Sequence, residues 1–188
     1  MRIRGWWLGV ALAAALSATA TAQPKTSPAT EKLITPLPSG FALGWKSQDG
    51  HTQEFVRAPE TVENWTRLIT IQIFRGLSNV NPDSFAERIG GKWAESCPGA
   101  DSRKLGEGKE SGFPFAVRVY ACPLLAATRK PETMWLKAIA GAEALYVIQY
   151  AAREMPSAAL MQPAAEFLRP VIACDTTRPD RPCPAGVK

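Results

Sequence analysis

Glu60 and Glu63 form the acidic pair whose spacing could support catalysis in this chain of 188 residues. Two neighbouring carboxylates can serve as acid and base in the hydrolysis of a glycosidic bond. Both residues lie at a predicted helix start, where acidic side chains usually compensate the helix dipole. The chain also lacks the short motifs of serine hydrolases, zinc proteases and phosphate-binding loops. A hydrolase is therefore the least favoured function, and no catalytic residue is assigned.

His51 is the single histidine of the chain and a second candidate for acid–base chemistry. It follows the predicted hairpin turn Asp49-Gly50 directly, and its neighbourhood contains no constellation that would make it a general base. We expect an exposed turn residue. Because His51 is also remote from every cysteine and no CxxC pattern is present, the sequence predicts neither a metal site nor a cofactor.

The four cysteines are expected to form structural disulfides. They are Cys97, Cys122, Cys174 and Cys183. Three pairings are open in principle. We favour Cys97–Cys122 and Cys174–Cys183, because the second pair closes a short local loop in a proline-rich tail.

Residues 1–22 have the pattern of a signal peptide. Arg2 and Arg4 form a basic start, Trp6 to Leu16 is an apolar core, and Ala20-Thr21-Ala22 fits a cleavage site. The apolar core is too short for a membrane span, so none is expected after cleavage. The predicted location is therefore periplasmic or secreted. Residues 23–40 are predicted to be a flexible leader, whose last part, Leu33 to Leu37, could pack onto the domain.

The charge of the chain is mildly basic. Loss of the two arginines in residues 1–22 lowers the formal charge from +5 to +3. Lysine and arginine are spread along the chain without a basic run, which argues against binding to nucleic acid.

The segment from Glu60 to Leu77 is predicted to connect a helix with the sheet. Thr61 is a candidate N-cap for a short helix that carries Val62 and Trp65 towards the core. The alternating isoleucines that follow predict a central strand.

The other elements follow from alternation and capping signals. Strands are predicted at 41–45, 53–57, 113–122, 133–140 and 143–152, and helices after Asn81 and Ser157. Gly90-Gly91 within the first of these helices suggests close packing on the sheet. The sequence thus predicts a single α+β domain over residues 41–175, a mainly antiparallel sheet with helices packed on it, and a disulfide-closed tail at 176–188.

Two resemblances add to this prediction. From Phe41 to Asp175 the order of elements resembles the Mog1/PsbP-like α/β/α sandwich, whose members are mostly small binding or assembly-accessory modules. The stretch EFVRAPETVENWTRLITIQIF, with ALYVIQYAAR and VIACD, resembles a set of small secreted proteobacterial proteins. That resemblance carries no site residue, so nothing catalytic transfers to this chain.

Aromatic and polar side chains are the candidates for ligand contact, although large aromatic residues usually lie in the core. The candidate binding residues are Trp45, Trp65, Trp135, Glu60, Asn64 and Gln72, with Trp93 as a further tryptophan. Residues 101–112 are polar and glycine-bearing, which fits either a solvated strand and loop or a mobile flap beside a site.

These features favour an exported, non-enzymatic binding or envelope-accessory protein with an envelope or secreted protein as its partner. The alternative is an inhibitor or immunity-type protein of a periplasmic or secreted enzyme, for which residues 101–112 would form a protruding plug. An exposed apolar surface would support a protein partner, whereas a pocket lined by ionisable groups would support an enzyme.

Overall fold

The computed structural model describes residues 30–187, which form nine strands and two helices. The elements are β1 (Glu31–Ile34), β2 (Phe41–Lys46), β3 (Thr52–Arg57), β4 (Arg67–Arg75), α1 (Pro82–Ser96), β5 (Asp101–Glu110), β6 (Phe113–Leu125), β7 (Lys130–Ala140), β8 (Ala144–Ala152), α2 (Ala158–Leu168) and β9 (Ile172–Asp175).

Seven of these strands form one sheet in the order β2-β3-β4-β8-β7-β6-β5. Every neighbouring pair in it is antiparallel. Strands β1 and β9 form a separate antiparallel pair. The predicted α+β class, a mainly antiparallel sheet with helices packed on it, is confirmed.

The large sheet has a hydrophobic core on each face, because alternate residues of its central strands are apolar on both sides. On one face, the α2 face, the core includes Ile69, Ile148, Tyr150, Leu160 and Phe167. On the other, the α1 face, it includes Tyr120, Leu136, Leu145, Val147 and Ala86.

Helix α1 begins where the sequence predicts, directly after Asn81. The Asn81 side chain caps it by accepting a 3.0 Å hydrogen bond from the Ser84 N–H, and Cys97 follows its last residue. The helix is fixed to the sheet by the Tyr120 hydroxyl, which donates to the Ala86 carbonyl at 2.6 Å. A Cβ on Gly90 would lie 3.1 Å from the Tyr120 ring, as the close-packing prediction requires, but one on Gly91 would meet open space.

Helix α2 is capped by Ser157, whose hydroxyl accepts from the Leu160 N–H at 3.3 Å. The helix ends at Leu168, although the apolar residues Val171 and Ile172 follow it in the sequence. Ile172 instead begins β9, where it pairs with Ile34 of β1.

The short helix predicted after Thr61 is absent. Thr61 and Asn64 exchange backbone hydrogen bonds of 3.3 and 3.1 Å across a tight turn. The Glu60 carboxylate then accepts from the Thr66 N–H at 2.9 Å and from its hydroxyl at 2.5 Å. A first helical turn is costly to nucleate, and this side chain closes the segment as a loop instead.

The flexible leader was predicted to extend over residues 23–40, but Glu31–Ile34 within it forms the strand β1. The buried Glu31 carboxylate accepts from the Ala142 N–H at 2.6 Å, the Glu143 N–H at 3.3 Å and the Tyr146 hydroxyl at 2.7 Å. These three donors fasten β1 to the turn between β7 and β8. The predicted signal peptide, residues 1–22, lies outside the described residues.

Both predicted disulfides are confirmed. Cys97–Cys122 joins the end of α1 to β6, and Cys174–Cys183 joins β9 to the tail. Within residues 30–187, neither helix has the length and apolar character that crossing a membrane requires.

Candidate functional site

Each helix covers only part of its face of the large sheet. Helix α1 packs mainly on β6 and β7, and α2 packs on β8. This leaves the β5–β6 side without a helix on the α2 face and the β2–β4 side without one on the α1 face, where the loop that carries Val62 and Trp65 packs on part of the sheet. These two areas without a helix are the candidate sites.

The first area is a groove between α2 and the edge strand β5, which we call the α2 groove. It consists of two hollows of about 410 and 250 Å³ on either side of Leu105. Their lining comes from β5 (Asp101, Arg103, Leu105, Gly106, Glu110), from β6 and β7 (Phe115, Val117, Val119, Ala121, Trp135, Lys137), and from α2 and the residues before it (Pro156, Ser157, Ala158, Met161, Ala165, Leu168, Arg169).

The α2 groove is mainly apolar and has exposed apolar side chains at its rim. Leu105 is 42% exposed and Met161 46% exposed. The second hollow exists because Gly106 has no side chain, so nothing from β5 fills the space above Val117. Exposed apolar side chains around a concave surface are typical of protein interaction sites.

Lys137 lies beneath the groove and is 2% exposed. Its ammonium donates to Glu110 Oε2 at 2.5 Å and to the Leu168 and Val171 carbonyls at 3.3 and 2.7 Å. Burial lowers the pKa of Lys137, and the hydrogen bond and charge of Glu110 oppose that shift. The lysine therefore satisfies the C-terminal end of α2, which explains its position without a catalytic role.

The second area is a row of polar side chains on the α1 face, which we call the polar strip. It consists of Trp45, Thr52, Glu54, Thr70, Gln72 and Gln149. Trp45 pairs with Glu54, Glu54 with Thr70 and Thr70 with Gln149 across four neighbouring strands. Directly paired residues of antiparallel strands lie on the same face, so these side chains form one continuous surface.

The polar strip is only partly in contact with solvent. Gln149 Nε2 donates to Gln72 Oε1 at 3.0 Å, and Thr70 is 9% exposed, whereas Trp45 is 46% exposed. Partial burial raises the pKa of Glu54, and the neighbouring charge of Glu63 raises it further.

The same row continues under α1, where charges replace the amides. Gln149 of β8 pairs with Leu136 of β7, which pairs with Arg118 of β6. Arg118 in turn pairs with Lys104 of β5. Asp83 in the first turn of α1 accepts from Arg118 at 2.9 Å and forms an ion pair with Lys104 at 3.0 Å. These contacts hold the pKa of Asp83 below its usual range. Carboxylates thus neutralise the two cations of this row, and the polar strip at its other end contains no cationic side chain.

The structure brings together only some of the predicted binding residues. Trp45 and Gln72 both belong to the polar strip. Trp65 is buried on the same face, with the Arg153 guanidinium 4.3 Å from the centre of its ring. Trp135 is buried on the opposite face, in the floor of the α2 groove.

The remaining predicted residues have structural or peripheral places. Glu60 holds Thr66 in the loop before β4, and Asn64 is exposed in that loop. Trp93 is half-buried against Tyr120, with ring centres 5.8 Å apart. The segment 101–112 is the strand β5 and a two-residue turn, which matches the solvated-strand alternative rather than the flap.

Sequence reasoning missed the groove residues Leu105 and Met161 and the strip residues Glu54 and Gln149. Gly106 was a usable signal, because a position without a side chain in a charged strand leaves room above the neighbouring strand. Among residues 30–187, no group of three or more His, Cys, Asp or Glu side chains could hold a metal ion.

Comparisons with known proteins identify the fold. No protein-family model matches the sequence, and no curated protein does either. Among solved structures, LpqN of Mycobacterium tuberculosis, involved in cell envelope biogenesis, superposes with a TM-score of 0.51 at 15% identity, over 79% of this chain and 87% of that chain. The Saccharomyces cerevisiae Ran-binding protein Mog1p superposes with a TM-score of 0.50 at 13% identity, over 78% and 97%.

These similarities agree with the Mog1-like sandwich expected from the order of elements. At such low identity they describe the fold and carry no site residue to this chain. The resemblance of residues 54–74 to secreted proteobacterial proteins stays a prediction.

Proposed function

We propose that this protein is an exported, non-enzymatic binding protein that takes up an extended segment of an envelope or secreted protein along β5 and into the α2 groove. The observation that carries the proposal is the ten-residue edge strand β5, which pairs on one side only, with β6, and borders an apolar groove. An extended peptide can add to such an edge, where main-chain hydrogen bonds give affinity and side-chain pockets give specificity.

The geometry of the groove suits alternate side chains of an added strand. Side chains on one face of a strand recur at every second residue, about 6.8 Å apart. The two hollows lie on either side of Leu105, and we infer that alternate apolar side chains of an added strand occupy them. Burial of two such side chains stabilises a complex by roughly 3 to 6 kcal/mol before the cost of ordering the peptide.

Charges on β5 restrict which segments can pair with it. Asp101 and Arg103 lie at one end of the groove, and Arg169 lies at the other. The register also shifts between Lys104 and Gly106, which interrupts regular pairing. Charged residues and bulges on edge strands oppose indiscriminate association, so a partner must match this pattern.

Two further facts support an exported binding role. The two disulfides suit a chain that folds in an oxidising compartment, periplasmic or secreted. The two proteins of similar fold are described by a role in envelope biogenesis and by binding of Ran, and both descriptions fit a binding or accessory module. The inhibitor alternative relied on a protruding loop at 101–112, and those residues form β5 and a tight turn.

Site-specific photo-crosslinking tests the proposal. A photoreactive residue at Leu105 in the exported protein should crosslink to a discrete envelope or secreted protein. The matched control is Leu43, which is 50% exposed on the other edge strand, β2, and should give no such product. Leu105→Glu should abolish co-purification of the partner, and Leu43→Glu should preserve it.

Two results would contradict the proposal. Equal crosslinking at positions 105 and 43 would show that β5 is not a specific edge. Addition of the purified partner should also slow amide hydrogen exchange in β5, and unchanged exchange there would exclude strand addition.

A further inference from the structure

We propose that the polar strip on the α1 face binds a neutral saccharide chain. This second site lies on the opposite face of the sheet from the α2 groove, and its ligand is independent of the partner proposed above.

The functional groups of the strip complement hydroxyl groups. A carboxamide offers donors and acceptors in one plane, a carboxylate accepts, and a hydroxyl does both. Its partly exposed groups are two carboxamides from Gln72 and Gln149, the Glu54 carboxylate and the Thr52 hydroxyl, whereas Thr70 is buried. A saccharide presents rows of groups that donate and accept at once, which matches such a mixed set.

The amides are already oriented. The hydrogen bond from Gln149 Nε2 to Gln72 Oε1, 3.0 Å long, orients both side chains. Within residues 30–187, Gln72 Nε2 and Gln149 Oε1 make no other hydrogen bond, so one donor group and one acceptor remain available. Preorganised polar groups lose less conformational entropy when a ligand binds.

Trp45 supplies the apolar surface that a sugar ring needs. It lies at the edge-strand end of the row and is 46% exposed, although it pairs directly with Glu54. An indole ring presents a flat face of negative potential, on which the C–H groups of a sugar ring pack favourably. From Trp45 to Gln149 the row crosses three strand spacings, about 14 Å, which exceeds the width of one sugar ring.

The charges of this area exclude anionic ligands. Glu54 lies close enough to Glu63 for that charge to raise its pKa. Arg118 and Lys104, further along the row, both pair with Asp83, and Lys104 also pairs with Glu107. Arg153 keeps its charge but lies outside the row, over the ring of Trp65. Nucleic acids, phospholipid headgroups and sulfated glycans therefore meet a negative surface without a free cation in the row. A neutral chain meets no such barrier.

Titration with three neutral hexasaccharides, chitohexaose, cellohexaose and maltohexaose, tests this site. Tryptophan fluorescence and amide chemical shifts of the folded, oxidised protein give the readout. At least one of the three should bind and shift the amide resonances of β2, β3 and β4. Trp45→Ala and Gln72→Ala should each weaken binding about tenfold, the loss of one good contact.

Leu43→Ala is the matched control, because Leu43 is in the same strand, is similarly exposed and faces the other side of the sheet. It should leave binding unchanged, and Trp45→Tyr should retain most of it. The proposal is overturned if none of the hexasaccharides binds, if binding survives Trp45→Ala, or if a hexalysine peptide binds the strip in place of the sugars. Thermal unfolding of each variant separates loss of a contact from loss of the fold.

Discussion

The α2 groove and the polar strip are both areas of the sheet that a helix leaves open, yet one is apolar and the other polar. In the groove, the one buried cation, Lys137, is fully engaged by Glu110 and two carbonyls, so the surface above it is apolar. In the strip, Gln72, Gln149 and Glu54 keep partial access to solvent, and a single hydrogen bond joins the two amides. Lys137 and its partners thus hold the fold beneath the groove, whereas the strip presents partly exposed polar groups that make few contacts within the protein.

Among the variants that test this difference, we expect the largest loss of stability for Lys137→Met. The substitution leaves the Glu110 carboxylate and the Val171 carbonyl without the donor that Lys137 supplies, whereas the Leu168 carbonyl keeps its hydrogen bond from the Val171 N–H. Breaking a buried ion pair on one side costs about 3 to 5 kcal/mol, and we expect the lower end because Glu110 is 33% exposed. Guanidinium unfolding measures the loss.

Gln149→Met is the matched control for that substitution on the strip. Gln149 is half-buried and has one side-chain partner, so we expect a loss below about 1 kcal/mol. Equal losses for the two variants would remove the contrast between the areas.

The disulfides give a second test, because each fastens the layer on one face. Replacing Cys97 and Cys122 by alanine frees the end of α1, and replacing Cys174 and Cys183 frees the tail from β9. The sequence separations are 25 and 9 residues. Loop entropy predicts losses of about 3 kcal/mol each, somewhat larger for the longer loop. The same unfolding measurement applies, and a larger loss for the tail disulfide would contradict this account.

The two ends of the polar row should respond oppositely to pH. The pKa of Asp83 is lowered from 3.8 by Arg118 and then Lys104, so its stabilising effect is complete above pH 3.8 and is lost as the pH falls through the lowered pKa. Asp83→Asn should therefore cost roughly 1 kcal/mol at pH 7, a value limited by solvent screening, and progressively less in acid.

Glu54→Gln should change the stability in the opposite direction at neutral pH. The pKa of Glu54 is raised from 4.5, so the folded protein holds this proton more tightly and loses stability as the pH rises through that window. The neutral amide should slightly stabilise the protein at pH 7 and have no such effect below pH 4.5. Unfolding curves between pH 3 and pH 7 test both variants, and destabilisation by Glu54→Gln at neutral pH would be the contrary result.

Gly106→Val should have the smallest effect on stability and a large one on binding. The backbone of Gly106 is ordinary, and a Cβ added there meets nothing within 4 Å. Valine favours a strand over glycine by about 0.5 to 1 kcal/mol, so the protein should be slightly more stable. Its side chain would partly fill the second hollow, so partner crosslinking at Leu105 should fall. Unchanged crosslinking would show that the hollow is not used.

The elements with local signals could be predicted from the sequence. Asn81 and Ser157 cap the two helices, and alternating apolar residues mark β4, β6 and β8. The false helix after Thr61 arose because a cap signal does not reveal a competing side chain, and Glu60 closes that loop instead.

The two open areas depend on information that local patterns lack. Trp45 and Gln72 were candidates by residue type, but their neighbours Glu54 and Gln149 join them only through strand order and register. The groove depends on which strands α2 leaves bare, and helix placement on a sheet follows from the packing of the whole face.

The attachment of β1 has a consequence for the order in which the chain can fold. Glu31 of β1 accepts a hydrogen bond from the hydroxyl of Tyr146, which lies 115 residues further along the chain. The strand that pairs with β1 is β9, the last strand. β1 is therefore the first of the described strands to be synthesised, but it can pair only after β9, the last strand, has been synthesised. Contacts of such long range slow folding, because the intervening chain must be closed first. Completion of the C-terminal strand is thus the event that secures the N-terminal one.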